Sequence, residues 1–176
     1  MGQAIKLVIA GLLFLTLSAC VTAYQSRPDA LWVPDGAAAK VRVPQTVSIQ
    51  NGYASEKVVK IFQGQGVTTT ADLKQLTHTS MLTLTRALEK RGVKVAPQAR
   101  KSLTLRIQSA SVGVAPGYPV ANGQVLLEVT YSDGTKTTLS GGSKSVASAD
   151  NVIDNSILRV VLDLLQHHEF LAYMNR

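Results

Sequence analysis

LTRALEKRGVKVAPQARKSLTLRI, residues 84–107, changes its hydrophobic period halfway along. Up to Lys90 the apolar positions follow the turn of a helix: Leu73, Leu76, Ser80, Leu84, Ala87 and Leu88 fall on one stripe, with Met81 beside it. After Gly92 the period is two, and Leu103, Leu105 and Ile107 alternate with polar residues as in a half-buried strand. An amphipathic helix joined by a short turn to an amphipathic strand predicts an α+β fold.

Working upstream, the helix is predicted over about residues 71–91. Thr69 or Thr70 can cap it with Asp72 in its first turn, and Lys90, Arg91 and Gly92 end it where cations and a left-handed residue are favoured. Gly64 to Thr70 reads as a turn. Val58 to Phe62 is a short apolar run that can pair, as a strand, with the alternating Val41, Val43, Val47 and Ile49, where Pro44 argues for an edge or a break.

Downstream, Val112 and Val114 fall out of phase with Leu103 to Ile107, which predicts a bulge near Ala110. Residues 116–123 form a loop. Val125, Leu127, Val129 and Tyr131 alternate, Ser132-Asp133-Gly134-Thr135 is a tight hairpin signal, and residues 135–140 return as the partner strand before Gly141-Gly142 releases the chain. A last helix runs from about Asp150 to Tyr173, with Val152, Ile153, Ile157, Val160, Val161, Leu164, Leu165 and His168 on a broad apolar face. The expected fold is an antiparallel sheet of about four to five strands against two amphipathic helices, in the order β(β)αβββα.

The amino-terminal region has another character. Residues 1–6 carry Lys6 and no acid, residues 7–17 are an apolar run too short to span a bilayer, and Ser18 and Ala19 are small, the layout of a secretory signal. Cys20, the single cysteine, follows at once and leaves no partner for an internal disulfide. Leu17-Ser18-Ala19-Cys20 resembles the lipobox of bacterial lipoproteins. That resemblance implies recognition of Leu17, Ser18 and Ala19 by a dedicated signal peptidase, a diacylglycerol thioether on Cys20 and an acylated new amino terminus. Val21 stands where Asp would imply retention at the inner membrane, so the implied place is the periplasmic leaflet of the outer membrane. Three regions follow: a signal peptide over 1–19, a lipidated terminus and flexible tether over 20–39, and one periplasmic domain over 40–176. A tether of that length would span about 25 Å. Within it, Leu31, Trp32 and Val33 either fold back on the domain or meet a partner or the membrane interface.

Composition bounds the partners. The formal charge is +7, from 18 Lys and Arg against 11 Asp and Glu, but the cations are scattered, as at Lys57 with Lys60, Lys90 with Arg91 and Lys94, or Arg100 with Lys101. Without a dense patch interleaved with aromatics, nucleic acid is not an expected partner. No metal or cofactor is expected beyond the covalent lipid on Cys20: His167 and His168 are adjacent on a helix and diverge by about 100°, and His78 stands alone. Gly64-Gln65-Gly66 lacks the rest of a phosphate loop. Ser140 to Ser143 does not match a nucleophile elbow, and Asp150 with Asp154 reads as helix cap and dipole partner. A hydrolase of envelope glycan or ester would need a pocket near Ser140 to Ser145 or the 116–123 loop, so the chain is expected not to be an enzyme.

The helix end Leu88 to Val95, the strand Leu103 to Ile107, the hairpin over 125–139 and the terminal His168-Glu169-Phe170-Leu171 resemble the YajG-type family of outer-membrane lipoproteins. The architecture is also similar to the lipoprotein partner of the lipopolysaccharide transport barrel and to lipoprotein subunits that accompany envelope lipid transporters. These resemblances imply a non-catalytic binding or assembly module with an envelope protein partner. The alternative is an accessory subunit that contacts lipid or lipopolysaccharide itself.

Overall fold

The computed structural model describes residues 20–64, 66–114, 120–145 and 150–176. The signal peptide, with Leu17, Ser18 and Ala19, lies outside them. The fold is α+β, with two sheets and two long helices.

Helix α1 is Leu73–Lys90. Its cap is Asp72, not Thr69 or Thr70: the carboxylate accepts from Lys74 N at 3.0 Å and from Lys57 N at 2.8 Å. The end is as the sequence predicts, for Gly92 takes φ +90 and Val93 N reaches back to Leu88 O at 3.0 Å. The buried stripe contains Leu73, Leu76, Leu84, Ala87 and Leu88, interleaved with Thr77, Thr79, Ser80 and Thr83. Each of these hydroxyls donates to the carbonyl one turn back, at 2.7 to 3.2 Å, so burial leaves none unsatisfied.

The large sheet has five strands: β2 (Thr46–Asn51), β5 (Lys94–Val95), β6 (Lys101–Val114), β7 (Ala121–Tyr131) and β8 (Lys136–Ser145), in the order β5-β2-β6-β7-β8. The hairpins β6-β7 and β7-β8 are antiparallel, as alternation and Asp133-Gly134 predict. The expectation of a wholly antiparallel sheet is corrected at β2, which lies parallel to both β6 and β5. Between β2 and β6 the chain makes a crossover through α1, and a crossover returns a strand in the same direction. The bulge falls between Ile107 and Ser109 in β6. Here β2 has ended, and side chains replace it: Ile107 N donates to Thr77 Oγ1 at 2.9 Å, and Ile107 O accepts from Tyr53 OH at 2.8 Å.

Helix α2, Asp150–Gln166, packs on β7 and β8. Val152, Ile153, Ile157, Val160, Val161, Leu164 and Leu165 are fully buried. Two glycines let it approach: a Cβ on Gly123 would collide with Val152, and one on Gly141 would lie 2.7 Å from Val160 Cβ and also collide with Ser156 O. Gly141-Gly142 therefore does not release the chain; β8 continues through both to Ser145. The final helix is not continuous to Tyr173. It breaks at His167, which takes an extended ψ of 134, and α3 (His168–Asn175) starts on a new phase. Phe170, Tyr173 and Met174 turn into the core, whereas His168 is exposed.

The small sheet, of three strands in the order β1-β4-β3, joins β1 (Cys20–Ala23), β4 (Val67–Asp72) and β3 (Val58–Gly64). The expected pairing of Val58 to Phe62 with the strand before it is replaced by a hairpin with β4. Residues 67–70, read as turn, are strand: a Val-Thr-Thr-Thr run lacks hydrophobic alternation, but β-branched residues suit a pleated surface.

The largest departure is the tether. Residues 20–23 are a sheet strand, and residues 24–41 form a strap along α1 with Tyr24, Leu31, Val33, Ala38 and Val41 buried. Ser26 Oγ donates to Asp154 on α2 at 2.5 Å and accepts from Thr79 on α1 at 2.8 Å; further on, Arg86 and Lys90 donate to Pro28 O and Val33 O, at 2.6 and 2.8 Å, and Gln166 donates to Ala37 O at 2.9 Å. The strap thus closes the seam between the helices, and its apolar side chains stabilise the layer as core residues do.

Candidate functional site

Cys20 opens β1 at the free edge of the small sheet. Its N–H donates to Gly66 O at 3.1 Å, and the register runs from Cys20 opposite Val67 to Ala23 opposite Thr70. All four residues of β1 are exposed, Val21 to 68%, and the thiol is free. Thr22 Oγ1 and Thr69 Oγ1 meet at 3.2 Å across the pair. Nothing in this setting hides the sulfur from modification, and the strand fixes the direction in which any attached group leaves the domain.

The other sequence candidates are dispersed. Ser143 Oγ donates to Val152 O at 2.7 Å, tying β8 to the start of α2, while Ser140 stands exposed on the opposite face of the sheet. Residues 115–119, in the loop considered for a pocket, lie outside the described residues, as does Gln65 of the glycine turn. Asp154 is not a dipole partner of α2 but the anchor of the strap, accepting from Ser26 Oγ and, at 2.9 Å, from Arg27 N. His167 and His168 have rings 4.7 Å apart, with His167 Nδ1 buried and without a hydrogen-bond partner, and His78 is exposed on α1. Among the described residues no three His, Cys, Asp or Glu side chains gather as a metal site.

Three surface features have the form of binding sites. A groove of ≈ 370 Å³ lies under Trp32, which is 68% exposed. Its cations are already occupied: Arg86 pairs with Asp29 at 2.5 Å, and Lys90 pairs with Asp35 at 2.9 Å and sits 5.9 Å from the Trp32 ring centre. A shallower depression of ≈ 230 Å³ on the open face of the large sheet is also internally paired. Arg106 stacks 4.8 Å from the Tyr53 ring and donates to Gly52 O, and Glu128 takes Gln108 at 2.9 Å and Lys136 at 3.6 Å. Burial pushes the Tyr53 hydroxyl above the ordinary phenol range, with the Arg106 guanidinium drawing it partly back.

The third feature is a groove of ≈ 810 Å³ beside β8, lined by Gln124, Ser143, Lys144 and Arg159 among others. Lys144 lies on the open face of the sheet and Arg159 on α2, so the two cations flank the strand from opposite sides. Neither is in an ion pair among the described residues. The sequence gave no sign of this site, because Lys144 and Arg159 belong to different elements and only the packing of α2 on β8 brings them to one groove.

No family model matches the chain, and no curated protein matches it. Among solved structures it is similar to protein XCC0632 from Xanthomonas campestris, described as a DUF330 protein. The identity is 14%, the match covers 87% of this chain and 93% of that one, and the TM-score is 0.43.

Proposed function

We propose that this chain is a bacterial lipoprotein, anchored through acyl groups on Cys20 in the periplasmic leaflet of the outer membrane, whose α+β domain is a non-catalytic binding or assembly module of the envelope. The YajG-type lipoproteins are the family proposed for it. The observation that carries the reading is the lipobox-like Leu17-Ser18-Ala19-Cys20 ending on a cysteine that is exposed at a free sheet edge. At about 0.8 kcal/mol per buried methylene, two or more acyl chains hold such a domain firmly.

In this reading the anchor has no leash. The residues that would have formed one are the strap, so the small sheet is held directly against the lipid headgroups and the large sheet's position follows from it. Metabolic labelling with palmitate tests the reading. The wild-type chain takes up label and sediments with outer-membrane density, while Cys20→Ser takes up none; an unlabelled wild-type chain, or a labelled Cys20→Ser, overturns it.

A further inference from the structure

Strand β8 is paired with β7 along its full length, from Ser145 opposite Ala121 to Lys136 opposite Thr130. On its other side no described residue pairs with it. Ten residues at about 3.3 Å each leave an open edge of unpaired N–H and C=O groups about 33 Å long. The other outer strands are blunted: β5 has two residues, β1 has four, and β3 is broken by a register shift between Lys60 and Phe62. β8 has no proline and no register shift, and its outward face is Lys136, Thr138, Ser140, Gly142 and Lys144.

Charge distinguishes the possible occupants of this edge. A second copy could add to it antiparallel about a two-fold axis at Ser140, the register that keeps both helical layers on one side and uses almost the whole strand. That register sets Lys136 directly opposite the second copy's Lys144, twice, and like charges directly opposite destabilise a sheet. The edge is therefore built against self-pairing. Lys136 is occupied by Glu128, but Lys144 and Arg159 are not paired, and both border the groove that runs beside the strand.

We propose that β8 is a strand-addition site for an extended acidic segment of a partner protein. Its backbone pairs with Lys136–Ser145, and its carboxylates meet Lys144 and Arg159. The proposal rests on the reading of the domain as a binding module, and it is independent of lipid at Cys20.

The probe is a synthetic eight-residue peptide alternating Val or Thr with Glu, added to the full-length chain and to its Cys20→Ser form. Controls are the same peptide with Lys for Glu, the same peptide with alternate amides N-methylated, and anionic phosphatidylglycerol vesicles. Hydrogen exchange is expected to slow at alternate amides of residues 136–145 with the acidic peptide. The Lys peptide is expected to bind about tenfold more weakly, and the double variant Lys144→Glu, Arg159→Glu to reverse that preference. No protection of β8 with the acidic peptide, equal binding of the N-methylated one, or an unreversed preference in the double variant overturns the proposal. Vesicle binding that needs Lys144 and Arg159 while β8 stays unprotected overturns it in favour of a lipid surface. Palmitate labelling reads the anchor separately, so failure at β8 and failure at Cys20 are told apart.

Discussion

Strand β7 buries every second residue from Ala121 to Tyr131, whereas β4 in the small sheet buries Ala71 alone and β1 buries nothing. The large sheet is held by apolar side chains pressed between strands and helices, the small one chiefly by ladder hydrogen bonds and threonine contacts at its surface. A hydrogen bond exchanged with water contributes about 1 kcal/mol, while a fully buried aliphatic side chain contributes about 2 kcal/mol and α2 supplies seven of them. The large sheet with its helices is the stable body. The small sheet, bearing Cys20, is the part that opens at least cost, which suits the end that would meet the membrane.

The sharpest way to break that contrast is at the α2 contact. Gly141→Ala is expected to cost about 3 kcal/mol in urea denaturation, since its Cβ would meet Ser156 and Val160, while Gly142→Ala costs within about 0.5 kcal/mol because a Cβ there meets only Gly123 O at 3.7 Å. Equal effects would mean that the helix does not lie on the strand as described. Next is the strap, where neighbouring residues separate two readings. Leu31→Ala is expected to lose about 2.5 kcal/mol and Trp32→Ala less than about 0.5 kcal/mol. A silent Leu31→Ala would return the segment to a loose tether.

Thr77→Val removes the acceptor of Ile107 N inside the large sheet's bulge, for an expected loss of about 1.5 kcal/mol. Thr69→Ala in the small sheet is expected to lose less than about 0.5 kcal/mol, and β1 and β4 amides should exchange with deuterium well before those of β7. Slower exchange in β1 than in β7 would invert the comparison.

The smallest effect is electrostatic. Hydrogen bonds from the Thr135 side chain and N–H hold the exposed Asp133 carboxyl below its ordinary range, with Arg176 at 3.0 Å adding to them. A depressed folded-state value contributes stability above the ordinary carboxylate range that is lost as pH falls through the depressed one. The stability difference between wild type and Asp133→Asn should therefore shrink on acidification. A difference that is constant across that range would remove the turn carboxylate from the account.

Where a pattern repeats locally, the sequence was readable: α1, the β6–β8 meander and the glycine end of α1 follow from spacing and turn chemistry. The bulge was legible from the phase change, though it lies nearer Ile107 than Ala110. The Thr-rich β4 escaped because its strand tendency comes from β-branching and not from alternation. The tether reading failed for a related reason. Tyr24, Leu31, Val33, Ala38 and Val41 are spaced irregularly, and an irregular segment signals burial only once a seam exists for it to fill. At the candidate sites, Cys20 was legible from its neighbours, and the β8 groove was not.

What the sequence by itself determined is what depends on neighbours along the chain: the helical and strand periods, the hairpin, and the lipobox resemblance at Cys20. Tertiary structure alone decided the parallel placement of β2, the folding of the strap into the helix seam, the need for Gly141 to lack a side chain, and the meeting of Lys144 with Arg159. Each of these is a contact between segments far apart in the chain, set by which surfaces exclude water together, and no local period records it.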